Sequence, residues 1–325
     1  MKKNVWLDCD PGHDDCFAIA LAAFHPDLEL LGISTVGGNQ DVEKTTFNTL
    51  EWLNILGKRN IPVYQGQANP LILKNVNCPE IHGISGLERL SQKENHLHGK
   101  LKPQNKKAVM AMAEHINQSS EPVTIIGTAR LTNIALMLSL FPETKINIKE
   151  IVIMGGAIGS GNTKPVAEFN IETDPHAANI VFNSASIDYD LIMIPLEVTH
   201  QILVTNNILN QLKKLGDFGL LCEDLLLYFK STYQKVFNFC DPPLHDPCAV
   251  FYVTNSNCIE TEFLNVEIET GSQMSLGQTV VDLYNRTGKK PNVYVGRKIN
   301  VEKFWEVMLS ALKIASYSSV MSSLS

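Results

Sequence analysis

Several things are missing from this 325-residue chain, and each absence narrows what it can be. No Lys/Arg block gathers anywhere, and the formal net charge is −7, from 27 Lys+Arg against 34 Asp+Glu. A phosphate-binding surface needs a basic stripe, so nucleic acid is not expected as a partner. No apolar run is long enough to span a bilayer, and the opening MKKNVWLDCD lacks an apolar segment of signal-peptide length. No membrane partner is expected. The seven cysteines form no CxxC pair and no zinc-like Cys/His spacing. An odd count of this kind reads as reduced, buried thiols, and the expected location is cytoplasmic. There is no GxSxG motif, no phosphate loop (GSGN at 159–162 is not one), no internal repeat and no long linker.

What is present is an ordinary globular composition, 44% hydrophobic and 19% charged. Apolar strands alternate with amphipathic helices: NVWLDCD, DDCFAIALAAFH, LELLGISTV, VEKTTFNTLEWLNILG, IPVYQG, NKKAVMAMAEHINQ, PVTIIGT, LTNIALMLSLF, IKEIVIMGG, DPHAANIVFN, YDLIMIPLEV. This alternation predicts an α/β fold, an open, mostly parallel central sheet flanked by helices, as a single domain over residues 1–325. After residue 205 a long helix is expected, then late strands at LNVEIET, TVVDLY and NVYVGRKIN and a terminal helix. The tail 316–325 is expected to fray.

The opening VWLDCDPGHDDC packs Asp8, Asp10, Asp14 and Asp15 into eight residues straight after an apolar run. Like charges at this density repel unless solvent or a cation offsets them. In an open α/β sheet, ligands sit at the carboxyl ends of the strands. Asp10 falls at the end of the first strand, Asn39 at the second, Thr128 after VTIIG, and Met154 and Gly155 after IVI. Carboxylates on one turn suit a hard cation with oxygen ligands, Ca²⁺ or Mg²⁺. Helix capping by Asp14 and Asp15 is the simpler alternative, and it leaves Asp10 unexplained.

Asn162, Glu168 and Asn170 follow IVIMGG in one loop and can read several hydroxyls, or serve as plain loop polarity. PPLHDP (242–247) presents His245 beside Asp246 at a helix start, either as a further metal carboxylate with a titratable His or as a cap. IHGISGL sets His82 among glycines, the makeup of a loop over a pocket. Phe229 and Tyr233, one helical turn apart, can stack on a flat ring or simply fill the core.

Taken in order, DCDPGHDD, ISTVGGN, IHGISGL, TARLTNIA, IVIMGG, AEFN…DPHAAN and PPLHDP closely resemble the inosine–uridine-preferring nucleoside N-ribohydrolases, over residues 5 to about 250. The resemblance implies calcium-dependent hydrolysis of a ribonucleoside's N-glycosidic bond to free base and ribose. It implies Asp10, Asp15, Asp246 and the carbonyl of Thr128 as calcium ligands, with Asp10 also the general base on a calcium-bound water. Asp14, Asn39, Asn162, Glu168, Asn170 and Asp246 would grip the ribose, with Met154 lining its site. His245, with His82 and Tyr233, would face the base, and His245 would protonate it. A homodimer or homotetramer is implied as well. Asp8 has no role in this scheme beyond a hydrogen-bonding place behind the site.

The chain departs from the family pattern at Ala129 and Arg130, at His13 inside DPGxDD, and at Phe229, where some members carry tyrosine. Arg130 therefore reshapes the pocket floor or points to solvent. His245 before Asp246 argues against the purine-specific branch. Two other readings compete. VWLDCDPG imitates the start of a haloacid-dehalogenase-like phosphatase, with Asp8 as nucleophile, but that fold gives LHDP no role. The other is a non-catalytic nucleoside-binding protein that keeps the fold and the cation.

Overall fold

The computed structural model describes residues 2–91, 101–184 and 189–323. Among these residues ten strands form, in chain order: β1 (Lys3–Cys9), β2 (Leu28–Thr35), β3 (Val63–Gln65), β4 (Val123–Gly127), β5 (Ile148–Met154), β6 (Asp190–Ile194), β7 (Ile259–Leu264), β8 (Val266–Ile268), β9 (Thr279–Val281) and β10 (Val293–Ile299). Eight make one sheet in the order β3-β2-β1-β4-β5-β6-β10-β7. Every neighbouring pair is parallel except β10 with the edge strand β7.

The central strands read as unbroken apolar runs because both faces are covered. β4 is buried at all five positions. Side chains alternate between two cores. Val5, Leu7, Cys9, Ile126, Val152 and Ile192 point to the face carrying the helices His13–Phe24, Val42–Ile55, Gly216–Phe237, Pro247–Thr254 and Val301–Ser318. Trp6, Ile125, Ile151, Ile153, Leu191 and Met193 point to the other, under the helices Ala108–Gln118, Thr132–Leu140 and Pro175–Ser184.

The late region differs from the sequence expectation. IETEFL, not foreseen as a strand, forms β7 on the sheet edge. LNVEIET and TVVDLY supply β8 and β9, a separate two-stranded sheet. The last helix runs to Ser318, and Ser319 Oγ donates to the Ile55 carbonyl at 2.8 Å. Residues 324 and 325 lie outside the described residues. Among those residues no helix is long and apolar enough to cross a membrane.

β1 and β4 are adjacent, although the chain leaves β1 toward β2 and β3 and returns to build β4, β5 and β6 on the other side. This reversal opens a crevice at the carboxyl ends of β1 and β4, the place where such sheets bind ligands.

Candidate active site

The crevice is lined at its base by residues that follow strand ends. Pro11-Gly12 turns the chain out of β1 into the helix His13–Phe24, so Asp14 and Asp15 occupy the first helical turn. Both are buried, as are Asp10 and Asp246. Asp15 does cap this helix, since its Oδ2 accepts from Gly12 N at 3.0 Å. Its Oδ1 accepts from Thr128 Oγ1 at 3.0 Å. One carboxylate thus caps the helix and ties its first turn to Thr128. Asp246 ends the 242–246 turn, and Pro247 opens the next helix after it.

Carboxylate oxygens of Asp14, Asp15 and Asp246 lie within 4.8 Å of one another. Asp10 stands outside that trio. Its Oδ2 accepts from Asn39 N at 2.7 Å, and its Oδ1 is buried without a partner. Asn39 Nδ2 donates to Asp10 O at 3.0 Å and to Asp15 Oδ2 at 3.2 Å. Burial, and then Asp15, pushes the Asp10 carboxyl well up; burial, and then Asp15, pushes Asp14 up to about 7. Asp246 is pushed well up by burial and by Asp14, Asp15 and Asp10. So many buried carboxylates with an orphaned oxygen among them fit a bound cation that this chain's own side chains do not replace. The donors are oxygens. The neighbouring thiols of Cys9 and Cys78 are pushed up by burial and the carboxylates, and carboxylate oxygens suit a hard cation.

Gly38 makes the Asp10 geometry possible. A Cβ there would stand 2.0 Å from Asp10 Oδ2. Gly38→Ala is expected to push that carboxylate aside and lower kcat on the order of 10²-fold, as a displacement of about 1 Å can. Steady-state kinetics on the purified variant, beside a melting curve, checks this.

A cavity of ≈ 260 Å³ opens above the carboxylates. Asp14, Asn39, His82, Thr128, Met154 and Asn162 line it, as do Glu168, Asn170, Tyr233, His245 and Asp246. Asp10 and Asp15 lie deeper, behind that lining. Glu168 is held by three backbone donors, Gly156 N at 2.9 Å, Asn170 N at 2.9 Å and Ile171 N at 3.2 Å. Burial lifts its carboxyl to about 7 against those bonds. Asn170 Nδ2 donates to the carbonyls of Thr128 and Met154, both at 3.1 Å.

The opposite wall is aromatic. Tyr233 Oη contacts His245 Nε2 at 2.8 Å, and Thr199 Oγ1 contacts His245 Nδ1 at 2.7 Å. Burial pulls His245 well below the usual histidine range, so it is a neutral imidazole at pH 7, not the cation expected of a His near neutrality. Phe229 is buried beneath Tyr233, edge-on at 4.6 Å between centroids, and stacks on His82 and His13. It serves the wall without lining the cavity. His13 N donates to His82 Nδ1 at 3.2 Å, and His13 Nε2 contacts Glu88 O at 2.8 Å.

Sequence reasoning missed Cys78, Ile81, Phe169 and Phe237, which also line the cavity. Ile81, Phe169 and Phe237 carry no signal beyond apolarity. Cys78, an isolated thiol in sequence, contacts Asn39 Oδ1 at 3.3 Å.

Asp8 lies behind the site and does not line the cavity. Its Oδ1 accepts from Ser34 Oγ and, at 2.8 Å, from Asn133 Nδ2; burial pushes it up to about 7. A nucleophile needs a path to substrate, so this placement removes the phosphatase alternative.

The sequence profile of the inosine-uridine preferring nucleoside hydrolases matches residues 5–306. The chain belongs to this family. A probable ribonucleoside hydrolase of Dictyostelium discoideum is 40% identical over 323 residues, covering 95% of this chain and 94% of its own. The pyrimidine-specific ribonucleoside hydrolase RihA of Shewanella sp. (strain ANA-3) is 39% identical, with 97% of each chain covered. Among solved structures, a purine-preferring ribonucleoside hydrolase from Gardnerella vaginalis superposes with a TM-score of 0.88 at 28% identity, covering 97% of this chain and all of that one. The chain is therefore a nucleoside N-ribohydrolase on an α/β fold; the family generally binds a metal ion, and this chain holds a buried acidic cluster.

Proposed function

We propose that this hydrolase cleaves pyrimidine ribonucleosides to free base and ribose, with a calcium ion held by Asp10, Asp15, Asp246 and the main-chain carbonyl of Thr128. The observation that carries the reading is one cavity with an acidic, amide-rich floor and a His245–Tyr233 pair on its aromatic wall. Bound on that floor, the cation supplies positive charge against the carboxylates and makes water more acidic. Asp10, with a free buried oxygen, accepts the proton of the attacking water. Asp14, Asn39, Asn162, Glu168, Asn170 and Asp246 hold the ribose hydroxyls, and their carboxylates favour the oxocarbenium-like charge that develops as the bond breaks.

The leaving base needs a proton. Thr199 Oγ1 lies 2.7 Å from His245 Nδ1 and donates to the Leu196 carbonyl at 3.4 Å. His245 Nε2 shares a 2.8 Å hydrogen bond with Tyr233 Oη on the wall beside the base. Tyr233 and the neutral His245 hydrogen-bond the departing base, which takes its proton from solvent, and the proton that Asp10 removes from water returns to solvent. His82 packs beside the base position. The preference for pyrimidines is supported by 39% identity to a relative named pyrimidine-specific.

One assay tests the reading: release of base and ribose from uridine, cytidine, inosine, adenosine and 2′-deoxyuridine, with calcium and with a chelator. Uridine or cytidine is expected to lead inosine by about tenfold or more in kcat/KM, and deoxyuridine to fall far behind because the ribose grip loses a partner. Equal turnover of inosine overturns the base preference. Turnover indifferent to chelator overturns the calcium role.

A further inference from the structure

We propose that Arg130 is a positioning residue that clamps segment 66–78 and thereby sets substrate affinity. The proposal rests on the reading of the cavity as the nucleoside site.

Arg130 is fully buried, although it lies just past the strand end that carries Thr128. Neither solvent nor a reshaped floor is its destination; its side chain runs under the neighbouring loop. Nη2 donates to the Ala68 carbonyl at 2.7 Å and Nη1 to Asn75 Oδ1 at 2.6 Å. One planar fork thereby ties two points of a single loop seven residues apart. A lysine, with one compact charge and no fork, cannot span both acceptors. The passage exists because Gly37 has no side chain: a Cβ there would lie 2.6 Å from Nη2 and 2.8 Å from the Ala68 carbonyl.

The residues after Arg130 hold the same loop. Asn133 Oδ1 accepts from Gln67 N at 3.0 Å. Thr132 Oγ1 donates to Asp174 Oδ2 at 2.6 Å, and that oxygen also accepts from Leu71 N at 2.9 Å. Segment 66–78 is otherwise free of helix and strand, so these bonds decide its course.

What the clamp positions is a wall of the cavity. Asn75 Nδ2 donates to Asn77 Oδ1 at 3.0 Å, and Asn77 Nδ2 donates to Asp41 Oδ1 at 2.8 Å. Val76, Asn77 and Cys78 line the cavity. Cys78 in turn contacts Asn39 Oδ1, which orients the amide so that its Nδ2 faces Asp10 and Asp15. The path runs from a buried guanidinium through Asn75 to the rim and on to Asn39. Arg130, Asn75, Asn77 and Cys78 touch no reacting atom, and the backbone N–H of Asn39 holds Asp10 independently of its side chain, so releasing the path loosens the ribose grip more than it slows the chemical step.

The test compares Arg130→Lys, Asn75→Ala and the double variant with wild type. Asn75 is only partly buried, so its truncation leaves the core intact if Arg130→Lys misfolds. Expected is a rise in KM for the best nucleoside of about tenfold in each single variant, with kcat within about twofold. The double variant is expected to fall short of the sum of the single effects, because both remove the shared Arg130–Asn75 contact. Trypsin adds a readout that needs no substrate: the clamp holds the loop around the exposed Lys74, so cleavage there is expected to quicken severalfold in Arg130→Lys as local opening becomes easier. An unchanged KM in Asn75→Ala, a fall in kcat at constant KM, or additive effects in the double variant overturns the proposal. If wild type hydrolyses nothing, the substrate reading fails, while unchanged trypsin cleavage by itself overturns the clamp.

Discussion

Asp10→Asn is expected to leave a folded, substrate-binding protein whose kcat on its best nucleoside has fallen by about 10³-fold. The substitution removes basicity, charge and one proposed calcium ligand, so rates are read at saturating calcium. Asn keeps the carboxylate's shape, and its side-chain oxygen can still accept from Asn39 N, the 2.7 Å contact that fixes the wild-type group. The orphaned Oδ1 becomes an amide nitrogen or oxygen that cannot take a proton from water. Chelated protein is expected to melt slightly higher than wild type, because one buried carboxylate has left a crowded cluster. Initial rates by base release, read beside melting curves, separate the two effects. If Asp10→Asn keeps more than about a tenth of wild-type kcat, the base lies elsewhere, and Asp14 and Asp15 become the candidates. Asp10→Ala serves as the harsher control, since it also leaves the Asn39 N–H without its partner.

The site was readable in the chain wherever its parts were local or tied to a strand end. DPGHDD puts a turn and two helical carboxylates within six residues, so the position of Asp14 and Asp15 follows from spacing alone. Asn39, Thr128 and Met154 follow strand ends, and an open parallel sheet brings its strand ends to one edge. His245 and Asp246 were found as a motif but not as a geometry, because nothing in a sequence tells that Tyr233, on a different helix, meets the imidazole. Charge state was harder still. A histidine reads as a group near neutrality, whereas full burial leaves His245 uncharged. Arg130 illustrates the same limit: a cation beside a metal site reads equally well as solvent-facing until Gly37 is seen to leave it a passage. The edge strand β7 escaped because IETEFL alternates without a long apolar run, as a half-covered strand does.

Removing the metal is expected to have the largest effect on stability, and its dependence on pH has a definite sign. Burial holds the carboxyls of Asp8 and Asp14 up near 7, against about 3.8 for a free aspartate, and holds Asp10 and Asp246 well up too. Between those values the chelated folded protein binds more protons than the unfolded chain. The stability from these groups is then fully present below about pH 4 and is lost as pH rises through 7. Chelated protein is therefore expected to melt lower at pH 8 than at pH 5, by on the order of 5–10 °C if a few kcal/mol are lost. Calcium reverses the slope. Ligand carboxylates must be ionised to hold it, so its stabilisation grows with pH, and the saturated protein is expected to recover most of the loss at pH 8. Asp246→Asn should flatten both curves, raising the chelated protein at pH 8 while reducing what calcium restores. Differential scanning calorimetry at pH 5, 6, 7 and 8, with chelator or with millimolar calcium, reads all of this at once. A chelated protein whose melting temperature holds constant or rises between pH 5 and 8 would mean that its carboxylates are already ionised and compensated without a cation. The acidic floor would then be a binding surface for the ribose alone.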